Sequence, residues 1–157
     1  MDYYIDYLET PIGLIKIEAN KKYITCVEFV DYKTKIAASE LTEKCKTQLD
    51  QYFKGERKNF ELPLFYDVGT SFQQCVWQNL LAVEFGKTAC YQDIAIAVGS
   101  PKAVRAVGGA NNKNPISIIV PCHRIVGKTG KLIGYGGGLW RKEWLLAHEG
   151  AYKNSFA

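Results

Sequence analysis

The 157-residue sequence predicts an α+β fold in two parts. A small N-terminal antiparallel sheet plus helix is followed by a mainly helical, winged-helix-like half that carries a helix-turn-helix. Three observations lead there. Apolar residues alternate over the first thirty positions, the period of a half-buried strand. From about position 70 the period becomes helical, punctuated by Gly, Ser and Pro. Charge also divides along the chain: residues 1–93 carry 11 Lys/Arg against 14 Asp/Glu, and residues 94–157 carry 9 against 2.

The strand elements come first. Tyr3–Leu8 is aromatic and partly alternating, Thr10-Pro11-Ile12-Gly13 turns, Leu14–Glu18 alternates, and Asn20-Lys21-Lys22 turns into Tyr23–Val30. That is a three-stranded meander. A helix is expected from Ala37 to Phe53, with Leu41, Cys45, Leu49 and Phe53 at i, i+4 spacing and Gly55 as its stop. Residues 56–69 read as an extended linker. The expected parts are therefore residues 1–66 and 67–157.

In the second part, Thr70-Ser71 with Gln73 or Gln74 forms a capping box ahead of the stripe Phe72, Val76, Trp77, Leu80 and Leu81. Gly86-Lys87-Thr88 breaks that helix. A second helix is expected over Tyr91–Val98 and a third over Lys102–Ala110, the latter with Ser100 as N-cap and Pro101 at its first position. Helix, short Gly turn and basic helix are the layout of a helix-turn-helix, which many hairpins that bind nothing share. Asn111–Pro115 ends the third helix, Ile116–Val120 reads as a β-branched strand stopped by Pro121, and residues 127–138 are glycine-rich. A last helix, Trp140–His148, places Trp140, Trp144 and His148 on one face and stops at Gly150.

Composition narrows the function classes. Hydrophobic residues make up 47% and charged residues 23%, which excludes disordered, collagenous and low-complexity classes. No run approaches the roughly 18 apolar residues of a membrane helix. Met1-Asp2-Tyr3-Tyr4 lacks the basic-then-apolar pattern of a secretory signal, so a cytoplasmic protein with no membrane partner is expected. The five cysteines, Cys26, Cys45, Cys75, Cys90 and Cys122, contain no C-x-x-C pair and suggest no disulfide framework. Only His123 and His148 offer imidazole, and no Cys/His cluster has zinc spacing, so no metal is expected. Between Asp93 and Glu143 there is no acid at all. Such one-sided charge suits a polyanionic partner, nucleic acid first, or a merely solubilising face; charge alone does not separate the two.

Pro121-Cys122-His123-Arg124 is the segment with chemistry in it. A cysteine follows a proline that forbids ladder pairing and precedes an imidazole and a cation, and nearby positive charge favours a thiolate. On an extended chain, neighbouring side chains point oppositely, so His123 needs a local turn or a bridging water to serve Cys122. The imidazole also needs an orienting acid. Beyond Asp93 only Glu143 and Glu149 are available, and Glu149, at a helix C-terminus where a carboxylate gains nothing from the helix, is the better candidate. The commonest fate of a lone cysteine is burial in a core, and the tripeptide alone does not lift Cys122 out of that class. Cys26, Cys45, Cys75 and Cys90 are expected in the core.

From Thr70 to Gly150 the chain resembles the O6-alkylguanine-DNA alkyltransferases, also called methylated-DNA–protein-cysteine methyltransferases. The resemblance is carried by Phe72-Gln73 with Val76-Trp77, Tyr91, Pro101–Gly108, Asn114-Pro115, Ile119–Val126, Gly134-Tyr135, Gly137-Gly138-Leu139 and Lys142–Glu149. It implies a ribonuclease H-like N-terminal domain and a C-terminal domain for DNA binding and alkyl transfer. It implies DNA repair by irreversible transfer of an alkyl group from O6 of guanine to Cys122, a single-turnover methyltransferase that uses no cofactor. His123 and Glu149 are expected to form a relay through a water that keeps the sulfur anionic. Tyr91 is expected to donate to the base or its phosphate, and Asn114 to tie the recognition helix to the active-site loop. Arg105 is expected to fill the space left by the extruded guanine, with Lys102, Ala103, Ala106, Gly108 and Arg124 at the DNA. The guanine pocket is expected from Tyr135, Gly136 and Ile125. The implied partner is double-stranded DNA containing O6-alkylguanine, bound by a monomer. Adduct size and activity on O4-alkylthymine are not fixed by these motifs.

The sequence departs from the family pattern in places. The Asn-Gly after the recognition helix is Asn111-Asn112, which calls for a left-handed Asn. Cys90 stands where a Ser is frequent, Glu84 where a Pro is, and Gly136 where Ser or Ala is. The histidines of some relatives' zinc site are absent. Alkyltransferase-like proteins, which bind lesions without transfer, lack the cysteine that Cys122 supplies. A cysteine hydrolase would need a substrate cleft that the N-terminal half does not suggest, and a simple helix-turn-helix regulator leaves Cys122, His123 and Glu149 unexplained.

Overall fold

On β2 (Gly13–Ala19), Ile15, Ile17 and Ala19 are fully buried, while Lys16 and Glu18 pair with each other on the opposite face at 3.3 Å. That period-two pattern makes β2 the middle of an antiparallel sheet, between β1 (Tyr4–Thr10) and β3 (Ile24–Val30). The computed structural model describes residues 3–152, so the ends of the expected parts, residues 1–2 and 153–157, lie outside the described residues. Helix α1 (Glu40–Phe53) packs on the sheet through Cys45, Leu49, Tyr52 and Phe53. It starts later than the periodicity suggests. Ala37 exchanges two backbone hydrogen bonds with Ile5, at 2.8 and 2.9 Å, and Ser39 then caps the helix reciprocally with Thr42.

The expected linker is extended, but its middle is tied to the sheet and to α1. Ile24 donates to the Pro63 carbonyl at 2.8 Å and accepts from Phe65 at 3.0 Å, and the Gln48 amide bonds both ways with the Glu61 backbone. The chain divides into two compact units, Met1–Asp67 and Val68–Ala157.

The second unit is built on helices. Thr70 and Gln73 form the capping box of α2 (Ser71–Leu80), whose Trp77 is buried and donates from Nε1 to the Ala110 carbonyl at 2.7 Å. Helix α3 (Tyr91–Ala97) and helix α4 (Val104–Asn112) pack on α2 and on each other. Gly99, at φ +81°, makes the turn between them. Helix α5 (Leu139–His148) closes the unit. A parallel pair, β4 (Ala89–Cys90) with β5 (Ile125–Val126), is too short to leave a periodic signal. No helix among the described residues is long and apolar enough to cross a membrane.

Four expectations fail here. Ser100 does not cap α4: residues 100–103 form a turn closed by the Ala103 N–H on the Ser100 carbonyl at 2.9 Å, with Pro101 at its second position. Helix α4 starts after that turn and runs through Asn111 and Asn112, so no left-handed Asn occurs there. Among the described residues the only non-glycine with positive φ is Ile118, at 72°. Ile116–Val120 is not a strand but a folded-back turn, in which Val120 N–H donates to Ile116 at 3.0 Å and Ile119 N–H to Ser117 at 2.8 Å. Its apolar side chains are buried as a core strand's would be, which is why the pattern misleads. Of the cysteines, only Cys45 and Cys122 are buried; Cys75 is exposed, and Cys26 and Cys90 are intermediate.

Candidate active site

Pro121 has no N–H to offer, and the chain beyond it coils into one 3-10 turn, Cys122–Arg124. Arg124 N–H closes the turn on the Pro121 carbonyl at 3.0 Å. In such a turn adjacent side chains stand roughly 120° apart rather than opposed. The two side chains are therefore not opposed as they would be on an extended strand. All three residues are buried, His123 completely.

Glu149 caps the C-terminus of α5 and meets this turn through its carboxylate. Its carboxylate accepts from His123 Nε2 at 2.7 Å and from Arg124 Nε and Nη2 at 2.8 and 3.0 Å. Arg124 Nη1 donates to the Val83 carbonyl at 2.7 Å. Arg124, expected at the DNA, is instead buried against Glu149 and Val83. A buried guanidinium must be paired, and the Glu149 carboxylate pairs this one.

The charge states follow from burial and partners. Burial raises the Glu149 carboxyl, but the hydrogen bond from His123 and the hydrogen bonds and charge of Arg124 outweigh it and hold the group well below the usual carboxylate range. Burial pushes His123 down, against the pull of Glu149 and with help from Arg124 and Lys142, so the imidazole is neutral. With a carboxylate at Nε2, the proton sits on Nε2 and leaves Nδ1 as the base. Nδ1 is buried and has no protein hydrogen-bond partner. Burial pushes the Cys122 thiol up; the Asn114 side chain, the Lys142 charge and the backbone N–H groups of Cys122 and His123 pull the other way without overcoming it. Burial thus opposes a standing thiolate, because a fully enclosed site solvates a charge poorly, and the groups around the sulfur work against that cost.

Asn114 joins the end of α4 to the turn. Its amide donates to Val120 at 2.8 Å and to Ile116 at 3.3 Å, and its oxygen accepts from the Ile116 N–H at 3.0 Å. Tyr91, first residue of α3, donates its hydroxyl to the Ile133 carbonyl at 2.7 Å. Tyr91 and Tyr135 both lie within electrostatic reach of Cys122, and Tyr135 and Ile125 are buried. Gly136 is exposed, and a Cβ there would stand 3.1 Å from the Asn112 carbonyl oxygen. The remaining expected residues lie on α4 and the turn before it, where a Cβ on Gly108 would stand 3.9 Å from the Tyr91 ring. Lys102, Arg105 and Ala106 are exposed there, and Ala103 and Gly108 are partly so.

Two residues of the site escape sequence reasoning. Asn111 is buried and donates to the Cys122 carbonyl at 3.2 Å. Lys142 is completely buried and donates to the carbonyls of Ile133 and Gly134, each at 3.0 Å. Helical spacing held the signal for Lys142, which shares a face with Leu145, Leu146 and Glu149 at i, i+3, i+4 and i+7. The face of Trp140, Trp144 and His148 is the outer one: Trp140 is exposed, and the rings of Trp144 and His148 stack at 4.8 Å.

Two family profiles match the chain. Residues 3–66 match the 6-O-methylguanine DNA methyltransferase ribonuclease-like domain, and residues 71–151 match the DNA binding domain of the same family. The constitutive methylated-DNA–protein-cysteine methyltransferase of Bacillus subtilis is 47% identical over 147 residues, 87% of this chain and 88% of that one. The Methanosarcina barkeri protein of the same name is 42% identical over 153 residues, 93% of this chain and 96% of that one. The crystal structure of Mycobacterium tuberculosis O6-methylguanine methyltransferase superposes with a TM-score of 0.85 at 37% identity, covering 98% of this chain and 96% of that one. The same organism's protein in complex with DNA gives a TM-score of 0.86 at 39% identity, covering 96% and 94%. Matched across both halves, by relatives that share nearly its whole length, the chain belongs to the 6-O-methylguanine DNA methyltransferase (methylated-DNA–protein-cysteine methyltransferase) family.

Proposed function

We propose that the protein repairs DNA by moving the alkyl group from O6 of guanine to the sulfur of Cys122, irreversibly and once per molecule. The observation that carries the assignment is the buried Cys122 thiol in one turn with a neutral His123, whose Nε2 is fixed on Glu149 at 2.7 Å and whose Nδ1 is unspent. The thiol proton passes to His123 Nδ1, and the ionised Glu149 stabilises the imidazolium that results. The sulfur lone pair forms the S–C bond as the C–O6 bond breaks, and the electron pair stays on the guanine. Tyr91 donates the proton that neutralises the departing purine and is itself restored by the proton taken from sulfur. One S–C bond replaces one O–C bond, and no cofactor is consumed. A neutral thioether has no comparable leaving group, so the protein is spent.

A buried sulfur meets a base only if the base leaves the stack, at a cost of a few kcal/mol. Helix α4 is the element that opens the duplex, entering the minor groove where Ala103, Ala106 and Gly108 keep its surface slim. Arg105 fills the vacated space and Lys102 meets phosphate. Tyr135, Gly136 and Ile125 line the guanine pocket, and Asn114 couples α4 to the cysteine turn. The protein works as a monomer on double-stranded DNA, in the cytoplasm, where thiols stay reduced. A protein that only bound lesions would have no use for a thiol with a prepared base. Replacing Cys122 by Ser should abolish transfer and preserve binding to O6-methylguanine duplex; transfer that survives would move the acceptor to another cysteine.

A further inference from the structure

Lys142 is the only buried lysine among the described residues, and the transfer chemistry above makes no use of it. Two donors, one from α3 and one from α5, converge on a single carbonyl. The Tyr91 hydroxyl reaches the Ile133 oxygen at 2.7 Å and the Lys142 ammonium reaches it at 3.0 Å. The same ammonium holds the Gly134 carbonyl at 3.0 Å and lies 5.8 Å from the centroid of the Tyr91 ring. Ile133 and Gly134 lead directly into Tyr135 and Gly136. A carbonyl oxygen accepts two hydrogen bonds, and here both are made by groups of the site.

Tyr91 cannot donate to an extruded guanine while its only proton is given to Ile133. When it turns away, Lys142 still serves that carbonyl, so the exchange leaves no orphaned buried acceptor. We infer that Lys142 is a positioning residue: it fastens the Ile133–Gly134 backbone while the Tyr91 phenol changes partner, and it places a fixed positive charge beside the Cys122 sulfur. That role presupposes Cys122 as the acceptor.

Charge and geometry agree. The groups that face the ammonium are Tyr91 from α3 and Cys122 and His123 from the 3-10 turn. Burial pulls Lys142 down to about 8, opposed by Cys122 when its sulfur is ionised. The ammonium therefore persists at neutral pH and is lost as pH rises through that value, taking with it the support for a thiolate.

The test is single-turnover transfer from O6-methylguanine duplex, read as methylated Cys122 peptide, between pH 6.5 and 9.5. The wild type is compared with Lys142→Arg and Lys142→Met, each checked for folding by circular dichroism. Arginine keeps its charge throughout, so the ratio of wild-type to K142R rates should fall about tenfold or more across pH 8. K142M should lose at least about tenfold at pH 7, and less in a Tyr91→Phe background, because Tyr91 then has no bond to exchange. A wild-type to K142R ratio that is flat with pH overturns the role of Lys142, whether or not K142M folds. K142M transferring at the wild-type rate overturns it as well. A wild-type protein that gains no methyl on Cys122 at any pH overturns the assignment of the acceptor instead.

Discussion

Substituting Glu149 by Gln removes one charge from a buried cluster and should cost more than any other single polar change in the second unit. The carboxylate accepts three hydrogen bonds, at 2.7, 2.8 and 3.0 Å, from His123 and Arg124. An amide keeps one acceptor oxygen and turns the other position into a donor facing a donor. Arg124 is left as a buried guanidinium without a counter-ion. Breaking a buried pair in this way costs about 3–5 kcal/mol. For a unit of this size, each kcal/mol lowers the melting temperature by roughly 4–8 °C. E149Q should therefore melt on the order of 12–40 °C below the wild type. Urea unfolding of the wild type, E149Q, Arg124→Met and the double variant measures the pair. The double variant should be destabilised less than the two singles together, because it leaves no unpaired charge. The pH dependence has a definite sign. Glu149 is more acidic in the folded state than in the unfolded chain, so its contribution is complete above the unfolded value of about 4.3 and is lost as pH falls toward the folded one. His123 is less basic when folded, so below about pH 6.5 the unfolded chain takes up its proton first and stability declines. The two act in the same direction, and acid should weaken the protein progressively from about pH 6.5. An E149Q protein within 1 kcal/mol of the wild type would refute the electrostatic account of the cluster.

Two further substitutions probe the other surfaces. Arg105→Ala should slow repair of duplex DNA by about tenfold or more while sparing reaction with free O6-methylguanine, since only the duplex needs its gap filled; equal losses on the two substrates would end the intercalating role. Gly136→Ser puts a Cβ 3.1 Å from the Asn112 carbonyl and should cost about 1–3 kcal/mol in a melt, with slower transfer from bulky adducts than from methyl; an unchanged melt would mean that the segment relaxes freely.

The N-terminal meander is legible in the sequence because one face is buried, and burial on one face imposes period two on Ile15, Ile17 and Ala19. The capping box of α2 and the glycine that separates α3 from α4 are legible because they satisfy local needs of the backbone. Segments whose geometry is set by distant partners are not. Ala37 leaves its helix for Ile5, and Ser100 gives up its cap to a proline turn. Ile116–Val120 carries a strand's composition, yet it folds back around the Asn114 amide. At the site, Cys122, His123 and Glu149 stand out by chemical type and by the scarcity of acids in that half. Arg124 misleads and Lys142 goes unnoticed for the opposite reason. In a half so rich in cations, residue type does not separate a surface cation from a buried one; the helical spacing of Lys142 with Leu145 and Leu146 is the one local sign, and the packed structure shows that Arg124 holds Glu149 and that Lys142 holds Ile133 and Gly134.

The central claim is that one sulfur takes carbon from DNA and is consumed. Digestion and peptide mass mapping after incubation with excess O6-methylguanine duplex tests it most directly. One methyl per molecule, confined to the peptide that contains Cys122, is the predicted result. Methyl on Cys26, Cys45, Cys75 or Cys90, or continued demethylation with Cys122 unmodified, would contradict it.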